Sequence, residues 1–359
     1  MIKRFFNFDW LILVLVLGIV FIGLLTIKSI APSLFLQQLI WFILGLGLFF
    51  LFSQINYRYY QQAFWWLYLG SIVLLLVTFI FGEVTRGAIR WIQIGSFRLQ
   101  PSEMVKPFLI LFLASFFSDE QENSLKKIFQ SFLFLLLPVA LIFLQPDLGS
   151  SLVVIFIWLG MILAKGIKAK WLAFGGGFLA VFLPLAWHFL KGYQKQRIYT
   201  FLSPHADPLG SGFNVIQSMI AVGSGRIFGR GLGRGTQSHL SFLPEEHTDF
   251  IFASMAEEIG FIGVLVLLTL FFFLLWRILT LAKNASDQFA YFICLGVFSL
   301  IFIQIFVNIG MNLGILPITG ITLPLVSYGG SSLISTMICL GIVSSLSRFK
   351  ERQEMVEIR

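Results

Sequence analysis

The chain has 359 residues, 58% of them apolar and only 12% charged, and carries a formal net charge of +8. Soluble domains hold about 45–50% apolar and about 25% charged residues, so this composition excludes an ordinary soluble domain, a disordered chain and a fibrous repeat. Its apolar runs are long and unbroken rather than roughly ten-residue alternating segments, which excludes a β-barrel and leaves an all-α polytopic membrane protein.

A bilayer core roughly 30 Å thick needs about 20 apolar residues per helix. On that measure the sequence predicts about ten transmembrane helices, at 10–29, 34–52, 64–81, 102–117, 128–145, 150–164, 171–190, 250–279, 289–311 and 331–346. The first run, Trp10 to Ile27, has no charge and no small-residue cleavage site after it, so it reads as a retained helix. The eighth is long enough to tilt or to project beyond the bilayer. Lys and Arg set the orientation. With the N-terminus inside, Lys3, Arg4, Arg58, Lys126, Lys127, Lys165, Lys168, Lys170, Arg277 and Lys283 fall in cytoplasmic segments, against Lys28, Arg86, Arg90 and Arg98 in short outer loops. Both termini are therefore expected in the cytoplasm, with the protein in the cytoplasmic membrane as one integral domain over 1–359 and a tail at 347–359. Two extracytoplasmic loops follow, 82–101 and a large one at 191–249 between the seventh and eighth helices. The cytoplasmic loops are short and hold no Walker A motif, so chemistry is expected at the outer surface, without nucleotide. Cys294 and Cys339 lie in apolar runs and indicate neither a disulfide framework nor a metal cluster.

The outer segments hold the reactive residues. Asp249 ends the run Pro244-Glu245-Glu246-His247-Thr248-Asp249 directly before the eighth helix. It reads either as an N-terminal cap or as a general base kept ionised by the helix dipole. Upstream, Arg226, Arg230 and Arg234 recur at a spacing of four in the glycine-rich stretch Gly223 to Gly235. This is either a flexible solvated loop or an anion cradle, since glycine lets N–H groups approach and arginine forks fit phosphate oxygens. Arg86, Arg90, Trp91 and Arg98 suggest an interfacial segment. Glu103 and Lys106, three apart, share a helix face and form either a structural ion pair or a substrate contact. Glu257 and Glu258 stand under the same two readings, and Asp147 reads as a turn residue beside Pro146 and Gly149. Gly314 to Ser332, rich in glycine with two prolines, is expected as a buried re-entrant loop.

These stretches resemble the SEDS family (shape, elongation, division and sporulation). Asn308, then Gly314-Ile315-Leu316-Pro317-Ile318-Thr319-Gly320 and Leu325-Val326-Ser327-Tyr328-Gly329-Gly330-Ser331-Ser332, is similar to the family's C-terminal signature in order. Gln100-Pro101-Ser102-Glu103, Gln145-Pro146-Asp147-Leu148-Gly149 and Gly235-Thr236-Gln237-Ser238 with His247-Thr248-Asp249-Phe250 resemble further blocks. The short tail and the run Asn308-Ile309-Gly310-Met311 look more like the RodA branch. The resemblance implies a peptidoglycan glycosyltransferase that polymerises lipid II at the outer membrane face for cell-wall elongation and cell shape. It also implies a class B penicillin-binding protein, a transpeptidase, as partner, and matches the family's essential loop aspartate to Asp249. Besides that partner, the lipid-linked substrate and the membrane, no nucleic-acid partner is expected.

The residues suit that chemistry. A sugar hydroxyl attacks an anomeric carbon whose leaving group is a lipid diphosphate, which departs as a stabilised anion, so cations can replace a general acid. The hydroxyl still needs a base, typically a contribution of about 10²–10⁴-fold. Asp249 is the expected base. Arg86, Arg90, Glu103, Lys106, Arg226, Arg230, Arg234 and Ser327 are the expected substrate contacts. The diphosphate is held by the arginines or by a divalent cation, Mg²⁺ or Mn²⁺, for which no ligand set is legible. Two other readings stand beside this one: a lipid II flippase, compatible with the intramembrane charges, and a scaffold that only positions the transpeptidase.

Overall fold

A computed structural model describes residues 8–85, 88–95, 97–119, 124–166, 188, 192–208, 210, 212–240, 242–243 and 245–357. The predicted seventh span, 171–190, falls almost wholly outside these residues, as does Arg86. Every other predicted span has a helix at its place: α1 Trp10–Ile30, α2 Pro32–Gln54, the short α3 Arg58–Gln62, α4 Phe64–Phe81, α5 Pro101–Ser118, α6 Ser124–Leu144 and α7 Leu148–Ala164. Then come α8 Gly192–Leu202, α9 Phe213–Ser224, the four-residue α10 Thr236–His239, α11 Ile251–Lys283, α12 Gln288–Asn312 and α13 Gly330–Glu357. Among the described residues eight helices are long and apolar enough to cross a membrane, and α7, at 17 residues, is a shorter apolar helix.

The least apolar of these helices are the most enclosed. Within the membrane-length windows, α13 is 89% buried and α5 72%, whereas α2, α4, α6 and α11 are only 22–28% buried. A lipid-facing helix can be hydrophobic all round, but Ser, Thr and charged groups must turn inward to find partners. Ser331, Ser335, Thr336, Ser344 and Ser345 of α13 and Ser102, Glu103 and Lys106 of α5 are accordingly buried. Gly341 lets α2 come close: a Cβ there would lie 2.7 Å from the Phe49 carbonyl oxygen.

Two polar clasps mark the ends of the bundle. At one end Asp9 caps α1, accepting from the Ile12 amide at 3.2 Å, and takes two hydrogen bonds from Arg277 of α11 at 2.9 and 2.6 Å. At the other, the Ser29 hydroxyl of α1 donates to Glu258 of α11 at 2.6 Å. The stretch from Glu258 to Arg277 rises about 28 Å, close to the roughly 30 Å of a hydrocarbon core.

The described part of the 82–101 segment takes a form that the sequence reading did not name. It is an antiparallel meander of β1 Glu83–Thr85, β2 Ala88–Ile94 and β3 Phe97–Leu99, in sheet order β1-β2-β3. Ile92 pairs with Leu99, Gln93 with Arg98 and Ile94 with Phe97 across a turn where Gly95 takes φ 62°.

Candidate functional site

Asp249 stands at the Glu258 end of the bundle, one residue before the α11 cap. The cap position falls to Phe250, whose side chain makes no capping bond, so the capping role weighed for the aspartate is not how the helix begins. Three consecutive carbonyls hold this stretch in place. The His247 oxygen accepts the Tyr328 amide at 2.8 Å, and the Thr248 oxygen accepts the Ser327 hydroxyl at 2.7 Å. The Asp249 oxygen accepts the side-chain amides of Asn308 and Asn312 at 3.1 and 3.0 Å. Beyond this clamp the Asp249 residue is partly exposed, and its Oδ2 lies 3.6 Å from where a Cβ on Gly320 would be. Gly320 is at φ 77°. The stretch expected as re-entrant is here: it runs without helix or strand from 313 to 329, Leu323 to Ser327 are all buried, and Gln38 of α2 donates to the Ser327 carbonyl at 3.1 Å.

A second polar cluster lies across the 319–322 stretch. Lys106 pairs with Glu103 inside α5, both buried. Asp147 caps α7, accepting from the Ser150 amide at 3.1 Å, and also accepts from Ser102 and Gln100, each at 2.9 Å. Gly149 packs against Thr319, whose oxygen is 2.9 Å from where its Cβ would be. The two clusters therefore share one wall. Arg90 is drawn into the fold: it donates to the Gln145 carbonyl at 3.1 Å and to the Pro146 carbonyl. Ser327 likewise acts on backbone, through the bond to Thr248.

The glycine-arginine loop does something the spacing did not suggest. α11 is broken at Gly260, which adopts φ 68° and ψ −171°. A break strands the carbonyls before it and the amides after it. The loop supplies all four partners: Arg230 and Gly231 amides donate to the Glu257 and Glu258 carbonyls, each at 2.9 Å, while Phe261 and Ile262 amides donate to the Arg226 and Ile227 carbonyls at 2.9 and 3.1 Å. Several loop amides then serve the protein's own carboxylates. Buried Glu257 accepts from the Gln237 and Ser238 amides at 3.1 and 3.4 Å and from the Thr236 hydroxyl at 3.1 Å. Buried Glu258 accepts from the Gly233 amide at 3.0 Å and meets His239 at 2.9 Å. The side chains of Arg226, Arg230 and Arg234 remain exposed, with Arg230 donating to Thr236 at 2.9 Å. Next to His239, burial pushes the Glu246 carboxyl up to about 7 while the histidine pulls it down, and its Oε2 is buried without a hydrogen-bond partner.

A profile of the FtsW, RodA and SpoVE family, described as a cell cycle protein, matches residues 4–352. The chain belongs to this family, the SEDS proteins. The peptidoglycan glycosyltransferase MrdB of Escherichia coli K12 is 42% identical over 305 residues, which cover 84% of this chain and 82% of that one. Stage V sporulation protein E of Bacillus subtilis is 37% identical, with 95% and 97% covered. Among solved structures, a chain from "Structural coordination of polymerization and crosslinking by a peptidoglycan synthase complex" superposes at TM-score 0.83 with 37% identity, over 96% of this chain and 99% of that one. The rod shape determining protein RodA of Thermus thermophilus superposes at 0.73 with 31% identity, over 96% and 97%.

Within this SEDS chain, sequence reasoning missed Asn312. Its signal was available, because Asn308 and Asn312 are four apart in an apolar helix and so share a face. Both are buried, and both point amides at the Asp249 backbone. For the divalent cation, among the described residues no three His, Cys, Asp or Glu side chains converge. No step is assigned to a metal here.

Proposed function

We propose that the protein is a peptidoglycan glycosyltransferase that polymerises lipid II at the outer face of the cytoplasmic membrane, in cell-wall elongation. The observation that carries this reading is the fixed, partly exposed Asp249 in a clamp of three consecutive backbone carbonyls, in a chain whose relatives bear that enzyme's name. Asp249 takes the proton of the acceptor's 4-hydroxyl. The new bond forms at the anomeric carbon as the bond to the diphosphate breaks, and the electron pair leaves with the lipid diphosphate. Attack by one base opposite the leaving group predicts inversion, by analogy with two-carboxylate sugar chemistry. Exposed cations at the same end, with Arg226, Arg230 and Arg234 as candidates, counter the charge of the leaving group. Arg90 and Ser327 act by holding backbone, and Glu103 with Lys106 shapes the neighbouring wall. Since a structural neighbour comes from a complex that coordinates polymerisation with crosslinking, a class B penicillin-binding protein is the partner we assign.

The test is polymerisation of lipid II by purified protein in detergent, where no flipping occurs, with and without the transpeptidase. Asp249→Asn is expected to fold and to lose at least about 10²-fold in rate. Wild-type turnover by that variant would end the proposal in favour of a flippase or scaffold role.

A further inference from the structure

A cleft of ≈ 180 Å³ opens between α8, α9 and the stretch after α12, lined by Arg197, Thr200, Phe201, Asn214, Val215 and Ile318. Its polar groups have capacity left for a ligand. Among the described residues the Arg197 guanidinium makes one hydrogen bond, a long one of 3.5 Å to the Thr319 carbonyl, so most of its donor fork is uncommitted. Thr200 is 8% exposed, yet its hydroxyl has no partner. Buried hydroxyls are ordinarily bonded, and an exception calls for a reason. A guanidinium, a hydroxyl and the Asn214 amide beside Phe201, Val215 and Ile318 form a surface for an anion joined to an apolar chain.

The position of the cleft ties it to the reaction. Arg197 bonds Thr319, and the next residue, Gly320, faces Asp249 Oδ2. That path places the guanidinium within about 11 Å of the carboxylate, a span that a sugar ring and a phosphate fill. The cleft is also rigidly referenced to the aspartate. On α9 the Ser218 hydroxyl bonds the Asn312 carbonyl at 2.9 Å, and Asn312 in turn holds the Asp249 backbone at 3.0 Å.

We propose that this cleft seats the polyprenyl diphosphate released in the reaction, with Arg197 forking its phosphate oxygens and Thr200 donating to them. The inference rests on the polymerase reading and adds a residue outside the glycine-arginine loop to it. In the balanced step, the carbon–oxygen bond to the diphosphate breaks, its electron pair stays on the phosphate oxygen facing Arg197, and the hydroxyl proton passes to Asp249.

The test measures binding, not turnover. Purified full-length protein in detergent is titrated with a polyprenyl diphosphate and, separately, with the matching alcohol. Wild type is expected to prefer the diphosphate. Arg197→Gln should weaken diphosphate affinity about tenfold or more, as loss of a charge-assisted fork does, and leave the alcohol unchanged. Thr200→Val, which keeps volume, should cost about tenfold, as loss of one hydrogen bond to a charged group does, and Arg197→Lys should recover part of the Arg197→Gln loss. Unchanged diphosphate affinity in Arg197→Gln overturns the proposal. Should that variant elute aggregated, unchanged affinity in Thr200→Val does so instead. Asp249→Asn separates the two readings, because it should stop polymerisation and keep diphosphate binding. If it polymerises normally while binding still depends on Arg197, the base assignment falls and the cleft stands.

Discussion

Lys106 is 1% exposed and its ammonium pairs with Glu103 one turn earlier in α5. Breaking such a pair from one side leaves a buried charge, so Lys106→Met alone should cost about 3–5 kcal/mol of stability. Glu103→Gln with Lys106→Met should recover most of it, as read by thermal unfolding in detergent. Glu246 offers a pH test with a definite sign. Its carboxyl is raised to about 7 by burial, against His239 pulling the other way. A raised acid binds its proton more tightly folded than unfolded, so stability is full below the ordinary carboxylate range and is lost as pH rises through about 7. Wild type should therefore lose more thermal stability between pH 5 and pH 8 than Glu246→Gln, after which that part of the slope disappears. The ion pair was legible because a spacing of three puts two side chains on one helix face. The Glu246 shift was not, because it depends on which residues the loop folds against.

At the scale of elements, the sequence was read well wherever the signal is local. A membrane helix is a run of about 20 apolar residues, and α1, α2, α4, α5 and α12 lie within a few residues of their predicted positions, while α13 starts at its predicted place and runs on through the expected tail to Glu357. The meander at 83–99 was missed because strands of three, seven and three residues carry no periodicity of their own and exist through pairing. The break in α11 was missed for a similar reason: Gly260 is one glycine in an apolar run, and the partners that make a break tolerable come from a loop about 30 residues upstream. Gly260→Ala tests it. A Cβ there would stand 2.2 Å from the Gly229 amide nitrogen, at φ 68°. Strain of this kind costs about 1–3 kcal/mol before the collision is counted, so the variant should unfold at clearly lower temperature than wild type in detergent. A melting point equal to wild type would show that the loop is not seated in the break.

For the whole molecule, the candidate residues gather at the end marked by Ser29 and Glu258, and the Asp9–Arg277 clasp marks the other. The charge distribution predicts the orientation, and the protein is suited to testing that prediction. Cys294 and Cys339 are both buried, so introduced thiols can be labelled with little background. A membrane-impermeant maleimide on intact cells should label Phe228→Cys, at a position 78% exposed, and reach Lys283→Cys only after permeabilisation. The opposite pattern would turn the protein over and remove Asp249 from the outer face.

The seam at Gly260 also bears on how the chain is made. Without residues 226–231, four main-chain groups of α11 have no partner but water, and they interrupt an apolar segment. Synthesis runs from the N-terminus, so the strand of chain that plugs this gap leaves the ribosome before the helix it completes. The order of translation thus has the patch ready ahead of the tear, and moving the same loop behind α11 in a permuted gene would strip the nascent segment of that cover.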